Sequence, residues 1–535
     1  MTKLTVSIPV RSRDGALAAA ALAAERGADL VEYRLDYFTG LVSELAGLVE
    51  QSPLPCILTC RSVEEGGHHA RSDDERAAFY EHLCTGPRQP AYLDIELASF
   101  QRSPELRRRL SALVDHPAQV NATTTGLILS THDFEGRPAD LYQRLEAMAQ
   151  APACRVMKVA FTARSLRDNL EAFEILQQRT KPTIALCMGP FGLPSRVLAP
   201  KFGGLLTFAA LDAQSNTAPG QPTLDELVNL YGFRRLGPDT AVYGVIGWPI
   251  GHSMSPPIHN AGFAELDVAG VYLPMPVPPE WEHFKATVGS WLDAPGLDFR
   301  GASVTIPHKA HLLRLVGERG GELEPLAAAI GAANTLRVPE NGPDKGVRNL
   351  YASNSDYAAA LDSVCEAVGL TRAELGTLRV AVLGAGGAAR AIVAGFAHHG
   401  ATVVIYNRTL DRARELAEAF DGREGKVVAA RMDKLCDSCC GVFINCTPVG
   451  MHPNTEASPV PREFWRDVTP GTVVFDTIYN PLQTKLLHDA RAAGCVTIPG
   501  SEMFVRQAAT QFEQWTGRPA PLATFRRVLT DRLTD

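Results

Sequence analysis

Eight short apolar runs, rich in β-branched residues, lie between residue 4 and about residue 211, and Ala- and Leu-rich helical stretches separate most of them. Nearly continuous apolar runs are typical of parallel strands covered on both faces. Eight strand–helix units that close on themselves form a barrel, usually of ~250 residues. An open doubly wound sheet is the alternative, but this half has no glycine-rich dinucleotide turn. The predicted strands are Leu4–Val10, Asp29–Tyr37, Cys56–Arg61, Ala91–Leu97, Gly126–His132, Arg155–Phe161, Thr183–Met188 and Leu205–Leu211.

Several of these strands end in charged or polar residues. Glu32 and Arg34 alternate on the second strand, so their side chains share one face. Arg61 ends the third strand, Glu65 follows four residues later, and the fifth strand ends at His132. Because barrel enzymes carry out their chemistry at the carboxyl ends of the strands, these residues are candidates for an active site.

Lys158 stands inside the apolar sixth run. Burial disfavours the charged form of a lysine because the ammonium loses its hydration, and a neutral amine can attack a ketone to form an imine. A lone strand-end lysine more often reaches solvent, and a lone His132 is more often structural. An amine, an imidazole, two carboxylates and several arginines at one end of one barrel favour a catalytic site.

Six sequence blocks of the first half, covering essentially all of residues 1–230, resemble type I 3-dehydroquinate dehydratases. The resemblance implies a Schiff-base dehydration of 3-dehydroquinate that needs no metal or organic cofactor. An imine is an electron sink that eases removal of the neighbouring proton, and a histidine can transfer that proton. The blocks are Ala-Asp-Leu-Val-Glu-Tyr-Arg-Leu-Asp, Thr-Cys-Arg-Ser-Val-Glu-Glu-Gly-Gly, Ser-Thr-His-Asp-Phe, Met-Gly-Pro-Phe-Gly-Leu-Pro-Ser-Arg, Lys-Phe-Gly-Gly-Leu-Leu-Thr-Phe and Thr-Ala-Pro-Gly-Gln.

The same resemblance implies roles for individual residues. Lys158 would form the Schiff base, His132 would remove the α-proton and assist the loss of water, and Glu65 would orient His132. Arg196 would hold the substrate carboxylate, which suits a guanidinium fork, and Gln221 would close a lid. The residues that would bind hydroxyls or line the pocket are Glu32, Arg34, Arg61 and Thr217.

Two positions depart from the family pattern. Thr217 and Gly204 both stand where serine is usual. Threonine keeps the hydroxyl and adds a methyl group. We therefore expect altered substrate affinity and retained chemistry.

The second half begins after a linker and contains a nucleotide-binding pattern. Residues 212–240 are rich in proline and glycine around one predicted helix, Leu224–Leu230, which places the boundary near residue 235. Farther on, the strand Leu378–Leu383, a glycine turn, the helix Arg390–His399 and the strand Ala401–Tyr406 follow each other. In that context G-x-G-x-x-A indicates dinucleotide binding, with pyrophosphate at the helix start. The predicted contacts are Gly384, Ala385, Gly386, Gly387 and Ala388.

The end of the second of these strands predicts which dinucleotide is bound. NAD-preferring folds place an Asp or Glu here to bind the ribose hydroxyls. This chain has Asn407, Arg408 and Thr409, with Arg412 one turn farther on. An arginine pairs with a 2′-phosphate that a carboxylate would repel, so NADP(H) is the predicted cofactor.

Further blocks across residues 241–525 look like shikimate dehydrogenase. This resemblance implies that Lys309 and Asp356 form the catalytic pair. The blocks are Tyr-Gly-Val-Ile-Gly-Trp-Pro-Ile-Gly-His-Ser-Met-Ser-Pro-Pro-Ile-His, Ser-Val-Thr-Ile-Pro-His-Lys, Gly-Ala-Ala-Asn-Thr, Ser-Asn-Ser-Asp, Asn-Cys-Thr-Pro-Val-Gly-Met, Asp-Thr-Ile-Tyr-Asn-Pro and Gly-Ser-Glu-Met-Phe-Val-Arg-Gln. Substrate binding would fall to Ser253, Ser255, Thr305, Asn334 and Gln507, and contact with the nicotinamide to Tyr479, Gly500 and Met503.

Hydride transfer to a ketone leaves an alkoxide that needs a proton. Lys309 can donate it while Asp356 holds the ammonium, although Lys–Asp pairs are often only surface salt bridges. Ser303, Ser353 and Ser355 stand where many members have Asn, Gly and Thr. These departures concern substrate preference.

The predicted architecture is an α/β fusion of two enzymes. Residues 1–235 form a (β/α)₈ TIM barrel, residues 240–373 with 504–535 form an α/β substrate domain, and residues 374–503 form a Rossmann NADP-binding domain. The barrel product, 3-dehydroshikimate, would be reduced to shikimate by the second enzyme. These are consecutive steps towards chorismate and the aromatic amino acids.

Three alternatives remain open at this point. The barrel also fits another Schiff-base enzyme, such as a class I aldolase or transaldolase, which would not need Arg196 with Gln221. The second half also fits a quinate dehydrogenase. A binding regulator without catalysis is a third class, and the presence of Lys158, His132, Lys309 and Asp356 argues against it.

Composition excludes other classes. The net charge of −7 argues against nucleic acid as a partner, and no run approaches the ~20 apolar residues of a membrane span. The Ala-rich stretch Ala16–Ala24 is predicted to be a helix and not a signal peptide, so we expect the mature N-terminus at or near Met1.

Eleven cysteines, an odd number, suit a reducing cytoplasm. Cys436, Cys439, Cys440 and Cys446 lack a second pair at zinc-site spacing, so no metal site is predicted and buried free thiols are expected.

Overall fold

The computed structural model describes residues 1–116, 123–339, 350–422 and 424–534. The chain divides into two compact units. One comprises Met1–Ala241, Ala269–Val277 and Ala286–Asp298, and the other comprises Val242–Val268, Pro278–Lys285 and Phe299–Asp535. The boundaries near 235, 373 and 503 remain predictions, and Asp535 lies outside the described residues.

The first sheet consists of eight parallel strands in the order β7-β6-β5-β4-β3-β2-β1-β8. The backbone N–H of Leu205 donates to Thr183 O at 2.9 Å, linking the starts of the two outermost strands. The barrel prediction is confirmed, and the open-sheet alternative is wrong. The strands are β1 (Lys3–Pro9), β2 (Leu30–Arg34), β3 (Cys56–Thr59), β4 (Tyr92–Glu96), β5 (Gly126–Asp133), β6 (Cys154–Thr162), β7 (Thr183–Met188) and β8 (Leu206–Ala209).

The second strand is shorter than predicted, because Leu35–Tyr37 form a 3₁₀ turn that redirects the chain. A buried apolar cluster contributed by several strands includes Leu30, Ile57, Ile128 and Ile184. This packing leaves the carboxyl ends of the strands for polar residues. The helices of this part are α1 (Arg13–Glu25), α2 (Leu48–Gln51), α3 (Asp73–Leu83), α4 (Leu97–Arg102), α5 (Pro104–Ser111), α6 (Leu141–Gln150), α7 (Asp168–Gln177) and α8 (Leu193–Val197).

The second sheet has six strands in the order β10-β9-β11-β13-β14-β12. It is mixed, because β9 and β11 are parallel while β13 is antiparallel to both β11 and β14. Its strands are β9 (Ala241–Gly247), β10 (Gly270–Pro276), β11 (Phe299–Val304), β12 (Glu322–Leu323), β13 (Thr335–Arg337) and β14 (Tyr351–Ser353). The helices of this region are α9 (Ser255–Glu265), α10 (Trp281–Asp293), α11 (Lys309–Glu318), α12 (Pro325–Ile330) and α13 (Ser355–Val368).

The third sheet is parallel, with the order β17-β16-β15-β18-β19-β20 of a Rossmann fold. Its strand–turn–helix–strand unit follows the predicted pattern. The strands are β15 (Arg379–Leu383), β16 (Thr402–Asn407), β17 (Val427–Arg431), β18 (Val442–Asn445), β19 (Val473–Asp476) and β20 (Val496–Ile498). The helices of this region are α14 (Gly387–His398), α15 (Leu410–Phe420), α16 (Phe464–Asp467) and α17 (Lys485–Ala492). Two further helices, α18 (Gly500–Thr516) and α19 (Leu522–Thr534), follow in the chain and contact α13 and α9.

Two findings concern membranes and cysteines. Among the described residues, no helix combines the length and the apolar character that a membrane span requires. Cys436 and Cys439 are exposed, whereas Cys440 is buried. The expectation of buried thiols is therefore wrong for Cys436 and Cys439. Cys436 lies in the 3₁₀ turn Met432–Asp437, and Cys439 lies in the loop before β18.

Candidate active sites

Lys158 lies on β6, and its side chain is only 5% exposed. Its Nζ donates to Asp94 Oδ2 at 2.7 Å, lies 3.6 Å from Glu32 Oε1, and sits 4.4 Å from the centre of the Phe208 ring. The lysine is buried, as the sequence predicts, but two carboxylates accompany it. Asp94 therefore orients the Lys158 amino group within the barrel.

Asp94 is fully buried on β4 and is missed by the sequence prediction. Burial alone would raise the pKa of this carboxyl, but the charges of Arg61 and Lys158 lower the pKa well below its usual range. Glu96 follows two positions later on the same strand, and burial is again outweighed there, since Arg61 and Arg76 lower the pKa of Glu96. The alternation that identified Glu32 and Arg34 on β2 is also present in Tyr-Leu-Asp-Ile-Glu, so it could have identified both residues.

Arg61 connects three of the buried groups. One Nη donates to Glu96 Oε1 at 2.9 Å and to Ser130 Oγ at 2.7 Å, and the other donates to Asp94 Oδ1 at 2.8 Å. These bonds leave Arg61 committed to protein groups. Its position suits a role in holding the charge of Asp94 more than direct substrate binding.

His132 and Glu65 form the predicted pair. Nδ1 of His132 lies 3.0 Å from Glu65 Oε2, and the His132 backbone N–H donates to the same oxygen at 2.8 Å. Burial, assisted by the charges of Arg61 and Lys158, lowers the pKa of His132 well below its usual value. Burial raises the pKa of Glu65 to about 7, although Arg61 opposes it. A neutral imidazole is therefore available as a base near neutral pH.

Glu32 and Arg34 are both held by protein contacts. Glu32 accepts from Ser7 Oγ at 2.7 Å and from Thr59 Oγ1 at 2.8 Å. The Arg34 guanidinium donates two bonds of 2.9 Å to the carboxylate of Asp36. Both residues face the pocket, yet most of their polar atoms are already engaged.

Arg196 differs from the other buried cations of the barrel. It is 1% exposed, and its Nε and Nη2 have no hydrogen-bond partner within the described part of the chain. Burial lowers the pKa of this guanidinium to about 10. An unpaired buried guanidinium is costly, and an anionic ligand would remove that cost. Nearby, Thr217 donates through N and Oγ1 to Gln221 Oε1, both at 3.1 Å.

All nine residues predicted for the dehydratase half line one cavity of about 50 Å³. Phe134 and Phe208 are among its apolar lining residues. Gly204 is not among its lining residues. The nine are Glu32, Arg34, Arg61, Glu65, His132, Lys158, Arg196, Thr217 and Gln221.

The second candidate site centres on Lys309 and Asp356. Lys309 Nζ donates to Asp356 Oδ2 at 2.5 Å, and Asn334 Nδ2 donates to Asp356 Oδ1 at 2.8 Å. The same amide lies 3.3 Å from Gln507 Oε1. Asp356 occupies the first turn of α13, where the Asn354 side chain accepts from its backbone N–H at 2.9 Å. The carboxylate is thus fixed from both sides.

This pair opens onto a cleft of about 500 Å³. Ser303 and Gln511, which the sequence prediction did not include as site residues, also line it and are joined by a 2.7 Å bond from Ser303 Oγ to Gln511 Oε1. The signal for Gln511 was its spacing of one helical turn after Gln507 on α18. Predicted residues that line the cleft are Ser253, Ser255, Thr305, Lys309, Asn334, Asp356, Ala388, Tyr479, Gly500, Met503 and Gln507.

The remaining predicted cofactor residues lie at the carboxyl ends of β15 and β16. These ends are adjacent, since Gly384 N–H donates to Tyr406 O at 2.8 Å. Gly384 has φ +109°, a conformation that favours glycine. A Cβ built on Gly386 or Gly387 would meet no atom within 4 Å, so the backbone at the start of α14 is open to a ligand. The residues in this group are Gly384, Ala385, Gly386, Gly387, Asn407, Arg408, Thr409 and Arg412.

The donor groups at the end of β16 fit a 2′-phosphate. Arg408 and Arg412 are exposed and form no ion pair with any other described residue. Asn407 Nδ2 donates to Thr409 O at 2.7 Å, which shapes the turn that carries Arg408. No carboxylate stands at the ribose position. The residues present therefore fit NADP(H).

Family models match along most of the chain. The type I 3-dehydroquinase model matches residues 4–238. The shikimate dehydrogenase substrate-binding domain matches 245–336, shikimate/quinate 5-dehydrogenase matches 368–447, and the C-terminal domain of shikimate 5'-dehydrogenase matches 500–530.

Similar proteins include a full-length relative. The bifunctional chloroplastic 3-dehydroquinate dehydratase/shikimate dehydrogenase of Arabidopsis thaliana is 37% identical over 94% of this chain and 80% of its own. The NADP(+) shikimate dehydrogenase of Methanocella arvoryzae is 40% identical over 55% of this chain and 99% of its own. A crystal structure of a shikimate dehydrogenase with NADP+ covers 56% of this chain and 98% of its own, with 30% identity and a TM-score of 0.49. The chain therefore belongs to the family of bifunctional 3-dehydroquinate dehydratase/shikimate dehydrogenases.

Proposed function

We propose that this chain dehydrates 3-dehydroquinate to 3-dehydroshikimate in the barrel and reduces that product to shikimate with NADPH in the second half. One observation carries the first reaction: the buried, unpaired guanidinium of Arg196 lines the same small cavity as Lys158 and His132. The site thus combines an anion-binding group, an amine and a base. An aldolase-like reaction would not need Arg196 together with Gln221, and both residues line this cavity.

The barrel residues divide the dehydration among them. Lys158 gives up a proton to the neutral imidazole of His132, and its amine attacks the substrate ketone. His132 returns that proton to the hydroxyl of the adduct, which leaves as water and gives the iminium. His132 then removes the adjacent proton, and the electron pair moves into the iminium. His132 returns the proton to the leaving hydroxyl, which departs as water. Hydrolysis of the imine restores Lys158, so the net change is the loss of one water.

The second half binds and protonates the reduced substrate. NADPH, when bound, would supply a hydride to the substrate ketone. Lys309 donates the proton that the resulting alkoxide requires, and Asp356 holds the ammonium in position. Asn334 and Gln507 extend this hydrogen-bonded line towards the substrate hydroxyls. The glycine turn after β15 would hold the pyrophosphate, and Arg408 with Arg412 would pair with the 2′-phosphate.

The proposed reactions also define the chemical class of the substrates. The substrates are small anionic cyclic polyols, which Arg196 and the hydroxyl-binding serines of the second half would recognise.

We place the activity in the cytoplasm, because all eleven cysteines are free thiols, as expected in a reducing compartment. Fractionation of the native cells with an antibody tests this location, and recovery in an oxidising compartment contradicts it.

A coupled assay tests both reactions in one cuvette. Purified chain receives 3-dehydroquinate and NADPH, and enone absorbance and NADPH oxidation are followed together. We expect NADPH loss without any added dehydratase, with little loss of NADH in the control. Enone build-up with NADPH untouched would contradict the second activity. No change in either signal would favour the non-catalytic binding class. In a separate assay with NADP+ as the oxidant, oxidation of quinate faster than shikimate would identify the alternative substrate.

A further inference from the structure

Asp36 is a buried carboxylate that the proposed mechanism does not use. It lies in the 3₁₀ turn directly after β2, and it is 0% exposed. Buried carboxylates are retained only where several donors satisfy them. The donors to Asp36 come from two segments that border the dehydratase cavity, the end of β2 and the loop after β3.

The first donor is the Arg34 guanidinium, which binds both carboxylate oxygens at 2.9 Å. This fork–fork geometry fixes the plane of the guanidinium as well as its charge. Arg34 lines the dehydratase cavity, and its Cζ lies 5.5 Å from the ring centre of Tyr37. Asp36 therefore determines which nitrogen of Arg34 can reach a ligand.

The other donors belong to the loop that follows β3. The backbone N–H of His68 donates to Asp36 Oδ2 at 3.1 Å, and that of Arg61 donates to Oδ1 at 3.4 Å. The His68 ring also stacks on Tyr37, with centres 4.5 Å apart and planes 7° apart. Between these two anchor points lies Glu65, whose carboxylate binds His132. Both ends of the loop that carries Glu65 are thus tied to Asp36.

We propose that Asp36 is a positioning residue of the dehydratase, which holds Arg34 and the Glu65-bearing loop in the geometry that proton transfer by His132 requires. The inference rests on the proposed dehydratase function. Asp36 does not contact the reacting atoms, so its loss should slow the step that needs alignment and spare the step that needs only the amine. A displacement of about 1 Å can reduce a rate by ~10²-fold.

The test uses full-length Asp36→Asn. The amide keeps the size of the side chain and one acceptor oxygen but loses the paired negative charge. We expect the dehydratase kcat to fall by roughly 10- to 100-fold. Imine formation, trapped with borohydride and 3-dehydroquinate and detected as a mass increase at Lys158, should remain near the wild-type level. Reduction of 3-dehydroshikimate by the same preparation should stay within about twofold, which verifies the integrity of the second half.

Asp133→Asn is the matched control. Asp133 ends β5 beside His132, but within the described ranges its carboxylate accepts only from the backbone N–H groups of Glu135 and Gly136, at 2.9 and 3.1 Å. The same substitution there should leave dehydratase kcat within about twofold. An equal loss in both variants would mean that any added amide at this rim impairs the barrel, and it would overturn the specific role of Asp36.

Asp36→Glu keeps the test decisive if the asparagine variant does not fold. It retains the charge that pairs with Arg34 and lengthens the side chain by one methylene. We expect a smaller fall in kcat than for Asp36→Asn, with trapping again preserved. Wild-type kcat and KM in both variants would overturn the inference, as would a loss of trapping in proportion to kcat. Absence of trapping in the wild-type chain would instead contradict the proposed Schiff-base function.

Discussion

The two candidate active sites treat charge in different ways. In the barrel, the side chains of Lys158, Arg61 and Asp94 are at most 5% exposed and bind one another around a cavity of about 50 Å³. In the second half, Lys309 is 30% exposed and Asp356 13% exposed, beside a cleft of about 500 Å³. One site buries a network of charges, and the other presents a single ion pair to a wide opening.

The proposed reactions account for this difference. A Schiff-base reaction needs an amine, a proton acceptor and an acid/base close together and shielded from water, and each buried charge must then have a partner. Hydride transfer needs room for a substrate and a dinucleotide, and the protein must supply one proton. The barrel should therefore tolerate the loss of single charges poorly. The second half should respond mainly through the Lys309–Asp356 pair.

Lys158 is the residue whose loss should affect the barrel site most. Lys158→Ala removes the nucleophile and also leaves Asp94 and Glu32 without their shared cation. We expect dehydratase kcat to fall by roughly 10⁴- to 10⁶-fold, as for loss of other nucleophiles. Enone absorbance measures the loss, and borohydride trapping should disappear. Lys158→Arg is the control, because it retains the charge but cannot form an imine; an unchanged dehydration rate in either variant would refute the imine.

Lys309→Ala is the corresponding change in the second half. Removal of a proton donor costs roughly 10²- to 10⁴-fold in kcat. NADPH oxidation with 3-dehydroshikimate measures this loss, and 3-dehydroquinate dehydration by the same protein should not change. Lys285→Ala is a matched control, since Lys285 pairs with Glu318 on the surface at 3.1 Å. Equal activity of the two variants would assign Lys309 to a surface salt bridge.

Arg196 and Arg61 distinguish ligand binding from structural charge pairing within the barrel. Arg196→Met removes a buried cation with two unpartnered nitrogens, whereas Arg61→Met breaks the bonds to Asp94, Glu96 and Ser130. We expect Arg196→Met to raise KM by roughly 10- to 150-fold, because hydrogen bonds to charged groups contribute ~1.5–3 kcal/mol. Its thermal midpoint should not fall.

The matched Arg61→Met variant should instead be destabilised by about 3–5 kcal/mol, because two buried carboxylates each lose one of their two cationic partners. Thermal inactivation of the dehydratase activity gives the midpoint of each variant. The dehydrogenase activity of the same samples is followed as the internal reference. A lower midpoint for Arg196→Met than for Arg61→Met would reverse the assigned roles.

The sequence predicts much of this because strand-end residues are visible as polar letters in apolar runs. Lys158 and His132 are identified in this way, Glu65 is identified by its place four residues after the third strand, and the structure brings all three to one cavity. Asp94 and Glu96 obey the same alternation on β4, which marks them as strand-end acids, but their role depends on which cations they contact. The partners of Asp94, namely Lys158 and Arg61, lie 64 and 33 residues away along the chain.

Other features depend on tertiary contacts that no local pattern encodes. The sequence contains Arg196 in a recognisable block, but only the structure shows that its Nε and Nη2 are buried without a hydrogen-bond partner among the described residues. Likewise, the extended strand predicted over Asp29–Tyr37 ends at Arg34, since Asp36 turns back to bind Arg34 and the later loop. The role of Asp36 becomes visible only when both segments are placed side by side.

The smallest expected effect concerns pH and the His132–Glu65 pair. Burial raises the pKa of Glu65 to about 7 and lowers the pKa of His132 well below its usual value, so His132 stays neutral while Glu65 titrates. A carboxyl group is ionised above its pKa, and the ionised form is the stronger acceptor for an Nδ1–H of His132 and increases the basicity of the ring. Dehydratase kcat should therefore rise by about tenfold as pH rises through 7, and Glu65→Gln should lose this dependence because the amide does not titrate. The dehydrogenase reaction of the same variant is the control and should keep its wild-type pH profile. An acid limb at pH 7 that persists in Glu65→Gln would assign the titration to a different group.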